Sequence, residues 1–209
     1  MSTAGGATSG SANARRSVLL TEDEDDARQL LARALVRAGY TCHEACDVAS
    51  AEALIATTVF DAAVVDIVLG KNDRGGVELV SALRTRSRAT QIVVITAFAD
   101  LSRVKELLNL GASFLLEKPF RAAELLAVIA RLLSERDTAA HLVDAVLARA
   151  KLTPKEAQIA RLLLKGLPTA EIAELEGNSD KTIRQHVSTI YAKCGVSTRA
   201  EFFHHVFPT

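Results

Sequence analysis

Residues 62–85 read AAVVDIVLGKNDRGGVELVSALRT. The first five, Ala62 to Asp66, pass through four apolar side chains without polar alternation and end on a carboxylate. A strand of that kind is covered on both faces, as in a parallel sheet. A glycine-rich loop, VLGKNDRGG, follows, and then Gly76–Thr85, which carries apolar residues at helical spacing. Strand, loop and amphipathic helix form the repeating unit of an α/β domain, and the same unit stands on either side of this stretch.

Upstream lie SVLLT (17–21), YTCHEA (40–45) and the helical patterns Ala27–Ala38 and Val48–Thr57. The first of these patterns puts Leu30, Leu31, Ala34 and Leu35 on one face, with Gly39 where a helix stop is expected. Downstream lie QIVVI (91–95), Asp100–Leu110 stopped by Gly111, SFLL (113–116) and Arg121–Leu133. Five strands alternating with five helices predict a doubly wound, five-stranded parallel α/β domain of flavodoxin-like type over residues 16–134. From Leu152 onward strand-like runs are absent. T-P-K-E at 153–156 is a capping box with Pro at the first helical position, opening a helix that Gly166 ends. Ala170–Leu175, a Gly177–Asn178 turn, Asp180–Lys193 capped by Ser179, and a second box T-R-A-E at 198–201 complete an all-α four-helix module over 152–209. Short helices joined by tight turns suit a helix-turn-helix. Residues 135–151 are expected as a helical linker, because Leu142, Val143, Val146, Leu147 and Ala150 share one face. Leu125, Ile129, Leu132, Arg136, Ala139, Val143, Val146 and Ala150 also keep 3–4 spacing. Two readings stand: a dimer seam, or Leu125, Ile129 and Leu132 packing on their own sheet while the linker face docks on a domain.

Composition bounds what such a chain does. Its 209 residues suit two domains, and a hydrophobic share of 49% excludes wholesale disorder. No stretch approaches the ~18 consecutive apolar residues of a membrane span, so no membrane partner is expected. Lys+Arg and Asp+Glu number 25 each, which rules out a blanket of positive charge but not a local basic patch. Residues 1–15, rich in Gly, Ser, Ala and Thr and lacking an apolar signal core, are expected to be a flexible tail. Three cysteines, Cys42, Cys46 and Cys194, make no disulfide framework. The C-H-x-x-C of residues 42–46 reads as partly buried thiols in a reducing cytosol, since no second ligand cluster accompanies it. A cytoplasmic protein is the expectation.

Ligands of doubly wound sheets bind at the carboxyl ends of the strands. There, Glu22 and Asp23 follow the first apolar run and Asp66 ends the third. Three converging carboxylates repel unless a cation shares them, and an oxygen-only ligand set favours Mg²⁺. The fourth run ends in Thr96 and the fifth leads to Lys118-Pro119, adding a hydroxyl and an ammonium. Acids, cation, hydroxyl and lysine form a site for an anion with terminal oxygens, which points to phosphoryl chemistry.

With Glu22-Asp23, Asp66, Thr96-Ala97 and Lys118-Pro119-Phe120 at these spacings, residues 16–134 resemble the receiver domain of two-component response regulators. The resemblance implies that Asp66 is the nucleophile accepting a phosphoryl group from a sensor histidine kinase. It also implies that Asp23, Asp66 and the Val68 carbonyl hold Mg²⁺, with Glu22 assisting through water. Lys118 would pair with the phosphoryl oxygens, and Thr96 would reorient to hydrogen-bond one of them. Two departures stand out. Leu115 occupies the family's aromatic switch position, and Phe114 beside it faces the other way by strand alternation. The loop after Asp66 is about two residues longer than the common pattern and lacks its usual proline. Val68 and Phe98 are expected to flank the crevice and restrict attacking water.

LTPKEAQIARLLLKG (152–166), AEIA (170–173) and SDKTIRQHVSTIYAKCGVSTRAE (179–201) resemble the LuxR/NarL-type helix-turn-helix. A helix capped at Ser179 aims its N–H groups at a phosphate, with Lys181 and Thr182 beside them. Arg184, Gln185 and Ser188 project outward toward base edges of double-stranded DNA, Arg favouring guanine and Gln adenine. Ile183, Val187 and Ile190 face inward, His186 is structural, and His204 and His205 form a solvated helix end. Residues 151–209 carry eight Lys/Arg against six Asp/Glu, so tight binding calls for a homodimer that doubles the phosphate contacts. Glu176 and Asn178 stand where the family usually has apolar residues: either the turn packs differently or the module is marginally stable alone. The leading expectation is a DNA-binding response regulator phosphorylated on Asp66, and not an enzyme in the ordinary sense. The alternatives are an RNA-binding antiterminator and an interaction or phosphate-sink regulator with a degenerate helix-turn-helix. The capped helix and the lack of aromatics between Ser179 and Thr189 argue against the first of these; Glu176 and Asn178 keep the second open.

Overall fold

A computed structural model describes residues 15–70, 72, 74–97 and 101–208. Phe98 and all of the expected tail except Arg15 lie outside the described residues. The chain forms two compact units that divide between Leu133 and Ser134.

In the first unit, β1 (Ser17–Thr21), α1 (Asp25–Arg37), β2 (Thr41–Ala45), α2 (Val48–Thr57), β3 (Ala62–Asp66), α3 (Gly75–Arg86), β4 (Gln91–Thr96), α4 (Leu101–Asn109) and β5 (Phe114–Glu117) alternate, and α5 (Ala122–Arg149) follows. The strands form one parallel sheet in the order β2-β1-β3-β4-β5. Chain order reverses between β1 and β3, where Leu20 lies opposite Val64 and Thr21 opposite Val65. Such a switch point opens a crevice beyond the strand ends. Because strand side chains alternate, each strand feeds two cores. Leu19, Ala63, Val65, Ile92 and Val94 pack with Ala51, Ile55, Val80 and Leu83 of α2 and α3. Val18, Leu20, Val64, Val93 and Ile95 pack with Leu31 and Leu35 of α1 and with Leu125, Ile129 and Leu133 of α5.

That packing follows the second of the two readings of the apolar face. Leu125, Ile129 and Leu132 are buried against their own sheet, while Val143, Val146 and Ala150 pack around Leu147 in the core of the second unit. The apolar face thus changes partner along its length, and of the eight seam positions only Arg136 and Ala139 join neither core. Residues 122–149 contain no Gly or Pro, so one helix runs into the stretch expected as a separate linker. Phe114 and Leu115 join opposite cores, as alternation requires, with the Arg131 guanidinium 5.3 Å from the Phe114 ring centre. Cys42 and His43 likewise part company across β2: Cys42 packs beside the α1/α5 core, whereas His43 meets the Phe60 ring edge-on at 5.3 Å.

The second unit contains α6 (Pro154–Leu164), α7 (Thr169–Leu175), α8 (Asp180–Cys194) and α9 (Arg199–Val206), closed over Ile159, Leu163, Ile172, Ile183, Ile190 and Phe202. Thr153 and Glu156 form a complete capping box, and Lys193 Nζ donates to Glu156 Oε2 at 2.7 Å, tying α8 to the start of α6. The box expected at 198–201 is only half made. Thr198 Oγ1 accepts from Glu201 N, but the Glu201 carboxylate reaches one residue further back, to Ser197 N at 2.8 Å. In the α7–α8 turn, Glu176 pairs with Lys155 and accepts from Gln158 Nε2 at 2.7 Å, and Asn178 Nδ2 donates to the Glu176 carbonyl at 2.9 Å. The turn packs differently, through polar links to α6. Among the described residues no helix is long and apolar enough to cross a membrane.

Candidate functional site

The crevice at the β1/β3 switch point is built by backbone geometry before any side chain enters it. Gly76, in the first turn of α3, lies so close to the end of β3 that a Cβ there would sit 2.4 Å from the Asp66 carbonyl oxygen. The Gly76 N–H donates to the Ile67 carbonyl at 3.0 Å. Lys118 is anchored next to β4, its N–H donating to the Thr96 carbonyl at 2.8 Å, and the Lys118–Pro119 peptide is cis. Glu22 N donates to the Ala45 carbonyl, and Arg28 of α1 donates to the Glu22 carbonyl at 3.0 Å, which holds the acidic loop against the sheet.

Glu22, Asp23 and Asp66 each offer a carboxylate oxygen, and the three oxygens lie within 4.8 Å of one another. Glu22 and Asp66 are buried, whereas Asp23 is exposed. Lys118 Nζ lies 2.5 Å from Asp66 Oδ2 and 2.9 Å from Glu22 Oε2, so one ammonium bridges two of the three carboxylates but offsets only one of their three charges. The remaining negative charge and the oxygen-only donors fit a small hard dication such as Mg²⁺. Burial raises the Glu22 carboxyl above its ordinary range and the Asp66 charge adds to this, against the pull of Lys118. For Lys118 burial acts downward, but the hydrogen bonds and charges of Asp66 and Glu22 outweigh it and hold the ammonium above its ordinary range.

All six receiver residues singled out in the sequence, Glu22, Asp23, Asp66, Val68, Thr96 and Lys118, line one cleft of about 390 Å³. The Val68 N–H donates to Asp66 Oδ1 at 3.1 Å, and its side chain is exposed at the cleft. Thr96 is buried in the wall. Sequence reasoning missed the backbone amide of Gly70, which donates to Asp23 Oδ2 at 2.9 Å, and the Arg74–Glu106 ion pair of 2.6 Å between the start of α3 and α4. The absent proline in the loop was the one signal available for Gly70.

On α8, Ser179 Oγ accepts from Thr182 N at 3.1 Å and lies 2.8 Å from the Thr182 hydroxyl. Lys181, Arg184, Gln185 and Ser188 are exposed, Thr182 is half-buried, and Ile183 and Ile190 are fully buried. Arg184 is not idle: its guanidinium lies 2.7 Å from Asp180 Oδ2, one turn back.

Comparison with known proteins agrees with this division. The family model of the response regulator receiver domain matches residues 18–130, and that of bacterial regulatory proteins of the luxR family matches residues 150–206. The tetrathionate response regulatory protein TtrR of Salmonella typhimurium is 28% identical over 156 residues, 75% of this chain and 76% of that protein. A CheY-like response regulator receiver domain protein from Methanospirillum hungatei superposes with a TM-score of 0.56 at 25% identity, covering 59% of this chain and 98% of that one. Full-length FixJ from B. japonicum shares the fold over 92% of this chain and 96% of its own, with a TM-score of 0.55 at 23% identity.

Proposed function

The chain belongs to the response regulator receiver family, and on that premise we propose that Asp66 accepts a phosphoryl group from the phosphohistidine of a sensor kinase. With its LuxR-family unit at residues 150–206, the chain is a DNA-binding two-component response regulator. The observation that carries the assignment of Asp66 is the Lys118 ammonium 2.5 Å from a buried carboxylate that shares its crevice with two further acids.

Phosphoryl transfer requires a carboxylate oxygen in line with phosphorus and positive charge around the equatorial oxygens. Asp66 supplies the oxygen: a P–O bond forms to it as the P–N bond to the histidine breaks, and the imidazole leaves. Lys118 already holds Asp66 and is placed to pair with the incoming phosphoryl oxygens. Thr96, in the wall, donates its hydroxyl to another of those oxygens. Asp23, Asp66 and the Val68 carbonyl would hold Mg²⁺, with Glu22 beside them, and the ion supplies neutralisation of the phosphoryl oxygens' charge. The exposed Val68 side chain restricts water at the mouth and slows hydrolysis of the acyl phosphate.

On α8, Lys181 and Thr182 contact phosphates while Arg184, Gln185 and Ser188 read base edges in the major groove. Phosphorylation favours a homodimer that sets two α8 helices on successive half-sites, in the cytoplasm where kinase and DNA meet. A gel shift on duplexes chosen by in vitro selection tests this reading. Binding should tighten at least tenfold with a small acyl-phosphate donor in the wild type, and not in Asp66→Asn. Donor-dependent binding that survives Asp66→Asn refutes the assignment.

A further inference from the structure

The loop between β3 and α3 brings a backbone amide to the acidic crevice. Leu69 and Asn72 form an isolated antiparallel bridge, Leu69 N to Asn72 O at 3.2 Å and Asn72 N to Leu69 O at 3.1 Å. Gly70, next to Leu69 inside this bridge, has φ +64°. Glycine adopts a positive φ at no steric cost. The Gly70 N–H donates to Asp23 Oδ2 at 2.9 Å.

The three acids of the crevice are held by different means. Asp66 is held by Lys118 and the Val68 N–H, and Glu22 by Lys118 and the Glu24 N–H. Asp23 is exposed, and among the described residues the hydrogen bond that holds it comes from Gly70, 47 positions along the chain. A bond from an amide to a carboxylate is charge-assisted and directional, and it uses one of about four acceptor sites, leaving the second oxygen for a cation. Proline, the family's usual residue in this loop, has no N–H to offer.

We infer that Gly70 is a positioning residue for the cation site: its backbone amide fixes the Asp23 carboxylate in place from the β3–α3 loop, so that loop order and divalent-ion binding are linked. By reciprocity, an ion that needs Asp23 ordered also steadies the loop. The inference rests on the reading of Glu22, Asp23 and Asp66 as the Mg²⁺ site, and the test separates the two.

Titrating the full chain with Mg²⁺ in a calorimeter compares wild type, Gly70→Ala and Gly70→Pro. Alanine strains the backbone at φ +64° but its Cβ meets nothing within 4 Å and it keeps the donor, whereas proline, with φ locked at about −65°, both gives up that conformation and removes the donor. Gly70→Pro should bind Mg²⁺ about tenfold more weakly and Gly70→Ala within about threefold of wild type. Equal losses in both, or wild-type affinity in Gly70→Pro, overturn the inference while leaving the Mg²⁺ site intact. No binding by the wild type overturns the site and the inference with it. A second measurement does not depend on the proline variant folding. In Asp23→Ala, exchange of the Gly70 amide proton should accelerate at least tenfold while the Leu69 and Asn72 amides keep their protection. An unchanged Gly70 rate contradicts the inference.

Discussion

At Gly76 the demand is steric. A side chain there would meet the Asp66 carbonyl oxygen at 2.4 Å and the Ile67 Cα at 2.6 Å, both backbone atoms that cannot swing aside. Gly76→Ala should therefore push α3 off the end of β3 and cost about 1–3 kcal/mol, read from urea melts; unchanged stability would contradict the close approach. At Cys42 the demand is electrostatic. Burial, with the Glu44 charge adding to it, raises the thiol from 9.0 to about 11. Only the thiolate is nucleophilic, and at pH 8 about one Cys42 in a thousand is ionised at any moment, which slows its reaction in proportion. Iodoacetamide at pH 8 should label the exposed Cys46 and spare Cys42, whose rate climbs about tenfold per pH unit toward 11. Fast labelling of Cys42 at pH 8 would refute its burial. The residue scale also shows where sequence reading stops. The convergence of Asp66, Thr96 and Lys118 on one cleft was legible because they stand at strand ends. The Gly70 bond to Asp23 and the clash at Gly76 were not, because both depend on where the backbone turns.

Elements were legible wherever a local signal marked their ends. Gly39, Gly111 and Gly166 all adopt positive φ just past α1, α4 and α6, and Thr153 and Ser179 cap α6 and α8. What local signals did not carry was partnership. The 3–4 spacing from Leu125 to Ala150 suits a seam as well as it suits two successive cores, and only tertiary packing decides for the cores. Glu176 read as a defect because its partners, Lys155 and Gln158, sit 21 and 18 residues away on α6. Glu156 links elements in the same way. The Lys193 ammonium, together with the Thr153 N–H, holds its carboxyl below the ordinary glutamate range. A carboxyl lowered by folding adds stability above its unfolded pKa, and that contribution is lost as pH falls through the folded value. Glu156→Gln, which keeps a capping acceptor but loses the charge, should lower the thermal midpoint at pH 7. The gap to wild type should close as the solution is acidified below about pH 4. A gap that stays constant across that window would show that the Lys193 pair contributes nothing.

For the whole molecule, the architecture assigns chemistry and recognition to separate units. Carboxylates gather at the ends of parallel strands, and exposed polar side chains line a capped helix. The order of the two units was legible from the change of periodicity near residue 150, from strand runs alternating with helices to helices alone. The central claim is covalent, that phosphorus attaches to one carboxylate. It is tested most directly by treating the full chain with a small acyl-phosphate donor, reducing the product with tritiated borohydride and mapping the label by peptide. Label should appear only in the peptide containing Asp66, and none in protein kept from the donor. Label in the Glu22–Asp23 peptide instead, or no label at all in protein that binds Mg²⁺, would contradict it.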